Sequence, residues 1–396
     1  MDDHNNNNSY QLRCLSDDDI TEWSHFCANC FSYKPNPPPA SYFQRHFYND
    51  PQRDSSLIKV IIFNDDDDCK NNSHDDVVES NKIVSSVRIF QRRISIGNNN
   101  SGKFIKAGGI GEVCTSEQHR KRGLAKRLLV DAMNTMSNER KMQCSLLHAS
   151  SALTSVYEKS GGYKCVTTKW SVLKVNMESL NLQSSSNHHF DSMLHVRLAS
   201  FPNDTERLCS IHKKYSEDRF AGCIIRSIEY WNNYLRFEIG ESLFVLTDNN
   251  SISSSTKSIL GWISIRPRNG KIQLRDFGLD LDLLQSLGYT TSQIISRLLA
   301  VALSKEKHNI IHTNDSAKLD LLIPTVIVEE MSQQKDFCKE KCTWVDWSVP
   351  FRDENDIGWM YKMFNDTDDQ QHHDNNIIHL VNNNNVPHLI WPSDSF

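Results

Sequence analysis

The stretch that decides the fold is GGIGEVCTSEQHRKRGLAKRLLVDA, residues 108–132. Its first part, with Ile110, Val113 and Thr115, is apolar and β-branched, as a strand requires. A short polar turn follows. Then Arg120-Lys121-Arg122-Gly123-Leu124-Ala125 opens a helix that places Leu124, Leu128, Leu129 and Ala132 on one face. The first-turn amides of a helix lack helical acceptors, and the dipole adds roughly half a positive charge there. Gly123 removes the Cβ that would hold a ligand away from the backbone. Arg120, Lys121, Arg122 and Lys126 crowd this start, where cations are mildly unfavourable unless an anion joins them. A strand feeding such a helix N-terminus is a phosphate-binding arrangement. Neither the P-loop spacing nor the dinucleotide-binding glycine pattern occurs here.

The motif R-x-x-G-x-A directly after a strand resembles the acetyl-coenzyme A signature of the Gcn5-related N-acetyltransferase (GNAT) family. The resemblance implies that the turn from Arg120 and Lys121 through Arg122, Gly123, Leu124 and Ala125 to Lys126 holds the pyrophosphate of acetyl-CoA. It implies that Val113, Cys114 and Thr115 lend backbone groups to the pantetheine. A short strand at 143–148 and a helix at 153–163 follow, the latter carrying Tyr157, Gly161, Gly162 and Tyr163. This resembles the family's second landmark, in which Tyr157 would face the thioester sulfur. A tyrosine suits that place. Its phenol, with a pKa near ~10, stays protonated at neutral pH and can support a leaving thiolate whose conjugate acid lies near ~8.5. The attacking amine must shed a proton first. Glu112, on the same strand, is set aside as its acceptor, because Gly109 occupies the position nearest the glutamate of protein-acetylating relatives.

Composition bounds the rest. A chain of 396 residues exceeds one such domain. A net charge of −5 gives no basic character that would argue for nucleic acid. No stretch approaches the roughly 18 uninterrupted apolar residues of a membrane span. The N-terminus, MDDHNNNN, is unlike a presequence, and the 11 cysteines are those of a reducing compartment, so a cytoplasmic location is expected. Cys27-x-x-Cys30 and Cys338-x-x-x-Cys342 lack a second half at zinc-site spacing, and no metal is expected. Asn-, Asp- and Ser-rich runs, some holding paired histidines (His188-His189, His372-His373), are solvated insertions between elements.

With those runs removed, elements alternate. The expected fold class is α/β (α+β): two GNAT-like mixed sheets flanked by helices, the first active and the second degenerate, plus a short C-terminal closing segment. The expected division is a disordered tail 1–9, an acetyl-CoA-binding domain 10–176, a linker 177–192, a degenerate GNAT-like domain 193–315 and a closing segment 316–396. In the second unit, strands at 243–247, 260–266 and 271–278 precede a helix at 291–304 and a strand at 309–312, without R-x-x-G-x-A. The tandem resembles Eis-type and fungal lysine N-acetyltransferase proteins, in the second unit most through Tyr215, Arg219, Phe220, Gly222, Arg226, Tyr230 and Trp231. That resemblance implies an acceptor pocket closed by the C-terminal segment, with the carboxylate of Phe396 as the base. The expected reaction is acetyl transfer from acetyl-CoA to a small primary amine that is lysine-, polyamine- or aminoglycoside-like. A catalytically silent acyl-CoA sensor and a protein lysine acetyltransferase are the alternatives.

Overall fold

Two mixed sheets with helices on their faces form the computed structural model. It describes residues 9–64, 82–97, 103–176, 179, 194–248, 259–311, 318–332, 344–346, 348–364, 376–383 and 386–394. Phe396, Cys338, Cys342, the four paired histidines, residues 1–8 of the N-terminal tail and all of the linker except 179 lie outside the described residues.

In the first sheet the strands lie side by side as β1 (Tyr10–Cys14), β2 (Ile58–Phe63), β3 (Lys82–Ile96), β4 (Phe104–Thr115), β5 (Cys144–His148), β15 (Trp359–Met363) and β6 (Lys164–Cys165). A further strand, β9 (Ala221–Ile224), pairs with the far end of β3. The second sheet runs β8 (Leu194–Leu198), β10 (Leu243–Asp248), β11 (Ile259–Arg268), β12 (Lys271–Leu279), β13 (Lys318–Pro324), β7 (Trp170–Asn176) and β14 (Arg352–Asp353). Each sheet holds one parallel pair, β4–β5 and β12–β13, and is otherwise antiparallel.

Counted from β1 and from β8, the sheets match place by place, and the strand beside each parallel pair is exchanged. β7, which the sequence assigns to the unit 10–176, lies in the second sheet. β15, from the segment 316–396, completes the first. The apolar run of β7 explains why sequence does not reveal this. Trp170, Val172, Leu173 and Val175 are all buried, so the strand would fit the interior of either sheet. The second sheet also takes β13 from beyond 315. The strand expected at 309–312 is instead the end of a long helix, which runs as far as Ile311.

Helices α1 (Ile20–Cys30) and α2 (Ala40–Tyr48) cover one face of the first sheet, with Ile20, Trp23, Cys27, Phe43 and Phe47 inward. The chain enters α1 through Ser16, whose N–H and hydroxyl both donate to Asp19 Oδ2 at 2.9 and 2.7 Å. Helices α3 (Leu124–Asn134) and α4 (Thr154–Gly161) lie on the other face. Around the second sheet are α5 (Thr205–His212), α6 (Arg236–Ile239), α7 (Leu281–Ser286), α8 (Thr291–Ile311), α9 (Thr325–Ser332) and α10 (Ile377–Asn383). Among the described residues no helix is long and apolar enough to cross a membrane.

The last described segment is anchored in the interior. Leu389 N–H donates to Ala221 O (3.0 Å), Ala221 N–H donates to Pro387 O (2.9 Å), and the buried Trp391 indole donates to Ser216 Oγ (3.1 Å). Arg226, fully buried, bridges Asp276 (2.7 Å) and Asp394 (2.8 Å). Removing one partner of such a group strands a buried charge at a cost of roughly 3–5 kcal/mol.

Candidate functional site

The site begins where the first sheet opens. β4 and β5 pair only from Ala107↔Cys144 to Ile110↔Leu147, and His148 then pairs with Trp359 of β15. Beyond Ile110, β4 leaves β5 and remains paired with β3 alone. A bulge lies at the point of departure. The register against β3 shifts between Ser86 and Arg88, and Glu112 takes a φ of 54°. Ser116 N–H donates to Val84 O (2.9 Å), so the alternation of strand backbone directs Cys114 toward β3 as well. Val113 and Thr115 then turn their backbone groups toward the edge that β5 vacates. Cys114 thus separates from its two expected companions. Its thiol is buried, 4.0 Å from that of Cys27.

At the end of β4 the chain turns into α3. Gly123 caps the helix with φ 77°, Lys121 has φ 63°, and a Cβ built on Gly123 would meet nothing within 4 Å. Leu124, Leu128, Leu129 and Ala132 are buried, which fixes the helix against the sheet. Ala125 is half-buried, while Arg120, Lys121, Arg122 and Lys126 are exposed. Among the described residues none of these four cations has an ion-pair partner within 4 Å. Arg120 Nε donates to Thr115 O at 3.3 Å. The arrangement is an unneutralised cationic helix start beside a strand edge without a neighbour.

Tyr157 lies on α4, half-buried, with its ring edge-on to Tyr163 at 6.1 Å. Tyr157 and Val113 pack against the same cluster, which includes Leu124, Leu128 and Leu147. Burial raises the phenol's pKa and keeps it protonated. Tyr163 is committed elsewhere, its hydroxyl sharing a 2.7 Å bond with Ser145.

The opposite face of the sheet, under α2, carries a buried ionic layer. Asp50 accepts from Arg92 at 2.9 and 3.2 Å and lies 3.6 Å from Arg88. Glu112 Oε1 lies 3.6 Å from Arg88 Nη1, while Glu112 Oε2 is buried without a hydrogen-bond partner. Burial pushes the Glu112 carboxyl above the ordinary glutamate range, and the nearby Arg88 and His46 offset this only in part. His46 Nε2 bonds Glu238 of α6 at 2.8 Å, tying α2 to the second half. Burial works against the Glu238 charge, yet the His46 bond and Arg275 hold it down to about 2. By its offset along the strand Glu112 is a weak candidate base, since Gly109 sits nearest the family's glutamate position. The bulge moves this side chain, and a glutamate at positive φ leaves no trace in sequence.

A cavity of about 730 Å³ opens at the other end of β3 and β4, lined by residues including Arg92, Lys106 and Arg140. It includes none of the turn residues 120–126 and is separate from the opening described above. Among the described residues no group of three or more His, Cys, Asp or Glu side chains is placed to hold a metal.

Residues 11–166 match the family model described as an acetyltransferase (GNAT) domain. No curated protein matches the chain. Among solved structures, a GCN5-related N-acetyltransferase from Anabaena variabilis is similar over 90% of this chain and 73% of its own, at 14% identity and a TM-score of 0.53. One from Kribbella flavida is similar over 90% and 72%, at 14% identity and a TM-score of 0.52. The N-myristoyltransferase of Saccharomyces cerevisiae, solved with bound myristoyl-CoA, is similar over 89% and 82%, at 12% identity and a TM-score of 0.50. At these identities the likeness is one of fold, and it extends over both sheets.

Proposed function

We propose that the chain is an acetyl-CoA-dependent N-acetyltransferase acting on a primary amine of a small molecule. The observation that carries the reading is the divergence of β4 from β5 directly before the glycine-capped, cationic start of α3. Pantetheine amides would bond the backbone of Val113 and Thr115, and the pyrophosphate would sit on the amides from Lys121 to Lys126. The thioester would then lie in the opening, between Tyr157 on one face of the sheet and Glu112 on the other.

The neutral amine attacks the thioester carbonyl and the C–S bond breaks. Tyr157 gives a hydrogen bond or a proton to the departing thiolate. Glu112, in its ionised form, takes the proton lost by the amine, so the products are the acetamide and coenzyme A. Positioning supplies much of the rate, because both reactants are held at attack distance. The second half covers the Glu112 face through α6 and Tyr230, which favours a small acceptor over a protein surface.

Coenzyme A release, measured with a panel of small amines and acetyl-CoA, tests the reading. Turnover with at least one amine is expected, falling about 10- to 100-fold in Tyr157→Phe with donor affinity retained. No release above background with any amine, although the donor binds, would leave the silent sensor as the better account.

A further inference from the structure

The β11–β12 hairpin gathers three arginines on the side of the second sheet that faces α2. Arg266 donates through Nε and Nη2 to Gln273 Oε1, both at 3.2 Å, and Arg268 Nη1 donates to the same oxygen at 3.1 Å. One neutral amide oxygen therefore serves two guanidinium groups. Among the described residues neither Arg266 nor Arg268 has a carboxylate within 4 Å. The third, Arg275, bonds Glu238 at 2.7 Å and still leaves its buried Nε without a partner. Glu238, the acid that pairs with Arg275, is already engaged by His46. Burial, with the charges of Arg275 and Arg268, draws the Arg266 pKa down to about 10, so three cations are held together against their mutual repulsion.

Their position relates them to the opening between β4 and β5. The Tyr42 hydroxyl on α2 lies within electrostatic reach of Glu238, Glu112, Arg275 and Arg266. Asp356, bonded at 3.0 Å to His148 at the end of β5, feels Arg268. The arginines thus lie within electrostatic reach of the residues that flank the opening, on α2 and at the tip of β5. A guanidinium presents paired donors that match the two oxygens of a carboxylate.

We propose that Arg266 and Arg268 bind a carboxylate of the acceptor, which makes the acceptor an amino-acid-like molecule rather than a polycation. This rests on the reading that the Glu112 face receives the amine. The acceptor's ammonium end would lie toward Glu112 and its carboxylate toward the hairpin. A polyamine or aminoglycoside would set its second positive charge against the arginines.

The test is calorimetric titration of the full-length protein, saturated with coenzyme A, with aminocaproate, its carboxamide and cadaverine. These share a primary amine on a similar chain and differ at the far end. Aminocaproate is expected to bind at least about tenfold more tightly than either other probe. Arg266→Gln combined with Arg268→Gln should erase that preference while coenzyme A affinity and the melting temperature stay unchanged. Should the double variant fold poorly, Arg268→Gln alone, at the exposed end of the hairpin, should narrow the preference. Equal or tighter binding of cadaverine to the wild-type protein, no binding of any probe, or a preference that survives the substitutions would overturn the proposal. The readout is independent of turnover. Aminocaproate preference without acetyl transfer to any amine would sink the acetyltransferase reading and leave this one standing, and equal transfer to cadaverine would do the reverse.

Discussion

The two halves share a topology, yet the corresponding turns have opposite contents. After β4, the chain reaches Gly123 at positive φ, open space above it, and exposed cations without acidic partners among the described residues. After β12, Asp280 occupies the turn, accepting from Leu283 N–H at 3.0 Å and pairing with Arg207. The start of α8 is satisfied as well, since Thr290 Oγ1 accepts from Gln293 N–H at 3.3 Å and Gln293 Oε1 accepts from Thr290 N–H at 2.9 Å. One half leaves its helix start open, and the other satisfies it with its own chain. The fold alone therefore does not make a donor site. On the reading proposed above, the open turn does.

The largest effect expected from breaking this contrast is at the glycines. Gly123→Val places a β-branched side chain at φ 77° in the space above the turn, and should weaken coenzyme A binding about 100-fold. Gly288 has nearly the same φ, 75°, and equally open surroundings. Gly288→Val should cost roughly 1 kcal/mol or more of stability and leave coenzyme A affinity alone. Calorimetric titration of both variants decides, and equal losses of affinity would erase the distinction.

The next effect tests the face of the opening that the second half covers. Glu112 must be ionised to accept a proton, and burial places its pKa above the ordinary range. Activity should therefore rise as pH rises through that raised value. Glu112→Gln should lower kcat about 10- to 100-fold and flatten the acid limb of the pH–rate profile. An acid limb unchanged in the variant would assign it to another group.

The smallest effect concerns the join. His388 bonds Thr168 Oγ1 at 2.6 Å and Tyr361 of β15 at 2.8 Å, so it touches the strand exchange directly. Burial lowers its pKa to about 3, against ~6.5 in the unfolded chain. Its folded value is depressed, so the unfolded state binds the extra proton. The stability this contributes is complete above about pH 6.5 and lost as pH falls toward 3. Thermal melting should show a loss of about 1–2 kcal/mol between pH 7 and pH 5, and His388→Gln should reduce that slope.

Much of this was legible in residues 10–165. The strand, basic turn and amphipathic helix of 108–132 carry their own periodicities, and those local signals survive packing. What failed to show depends on partners distant in sequence. The run Trp170–Asn176 carries apolar residues on both faces (Trp170 and Val172, Leu173 and Val175) and does not say which sheet it enters. Residues 309–312, with their adjacent isoleucines, suit a short strand, yet α8 carries its hydrogen bonding through Ile311. The Glu112 bulge arises from pairing with β3, and its displaced register changes which face the carboxylate meets. Arg266 and Arg268 share a strand face by spacing, but only the hairpin brings Gln273 between them and α2 beside them.

The exchanged strands also set the order in which the molecule can be made. The first sheet fills the place beside β5 (Cys144–His148) with β15 (Trp359–Met363), which lies far along the chain from it. The edge of β5 therefore stays uncovered until the residues through Met363 have been translated. An excised N-terminal fragment ending near residue 176 would retain every residue of the donor turn, yet carry a strand meant for the other sheet and lack one of its own. Dissection by limited expression would produce an aggregation-prone piece, and a unit able to fold around the site must reach at least to Met363.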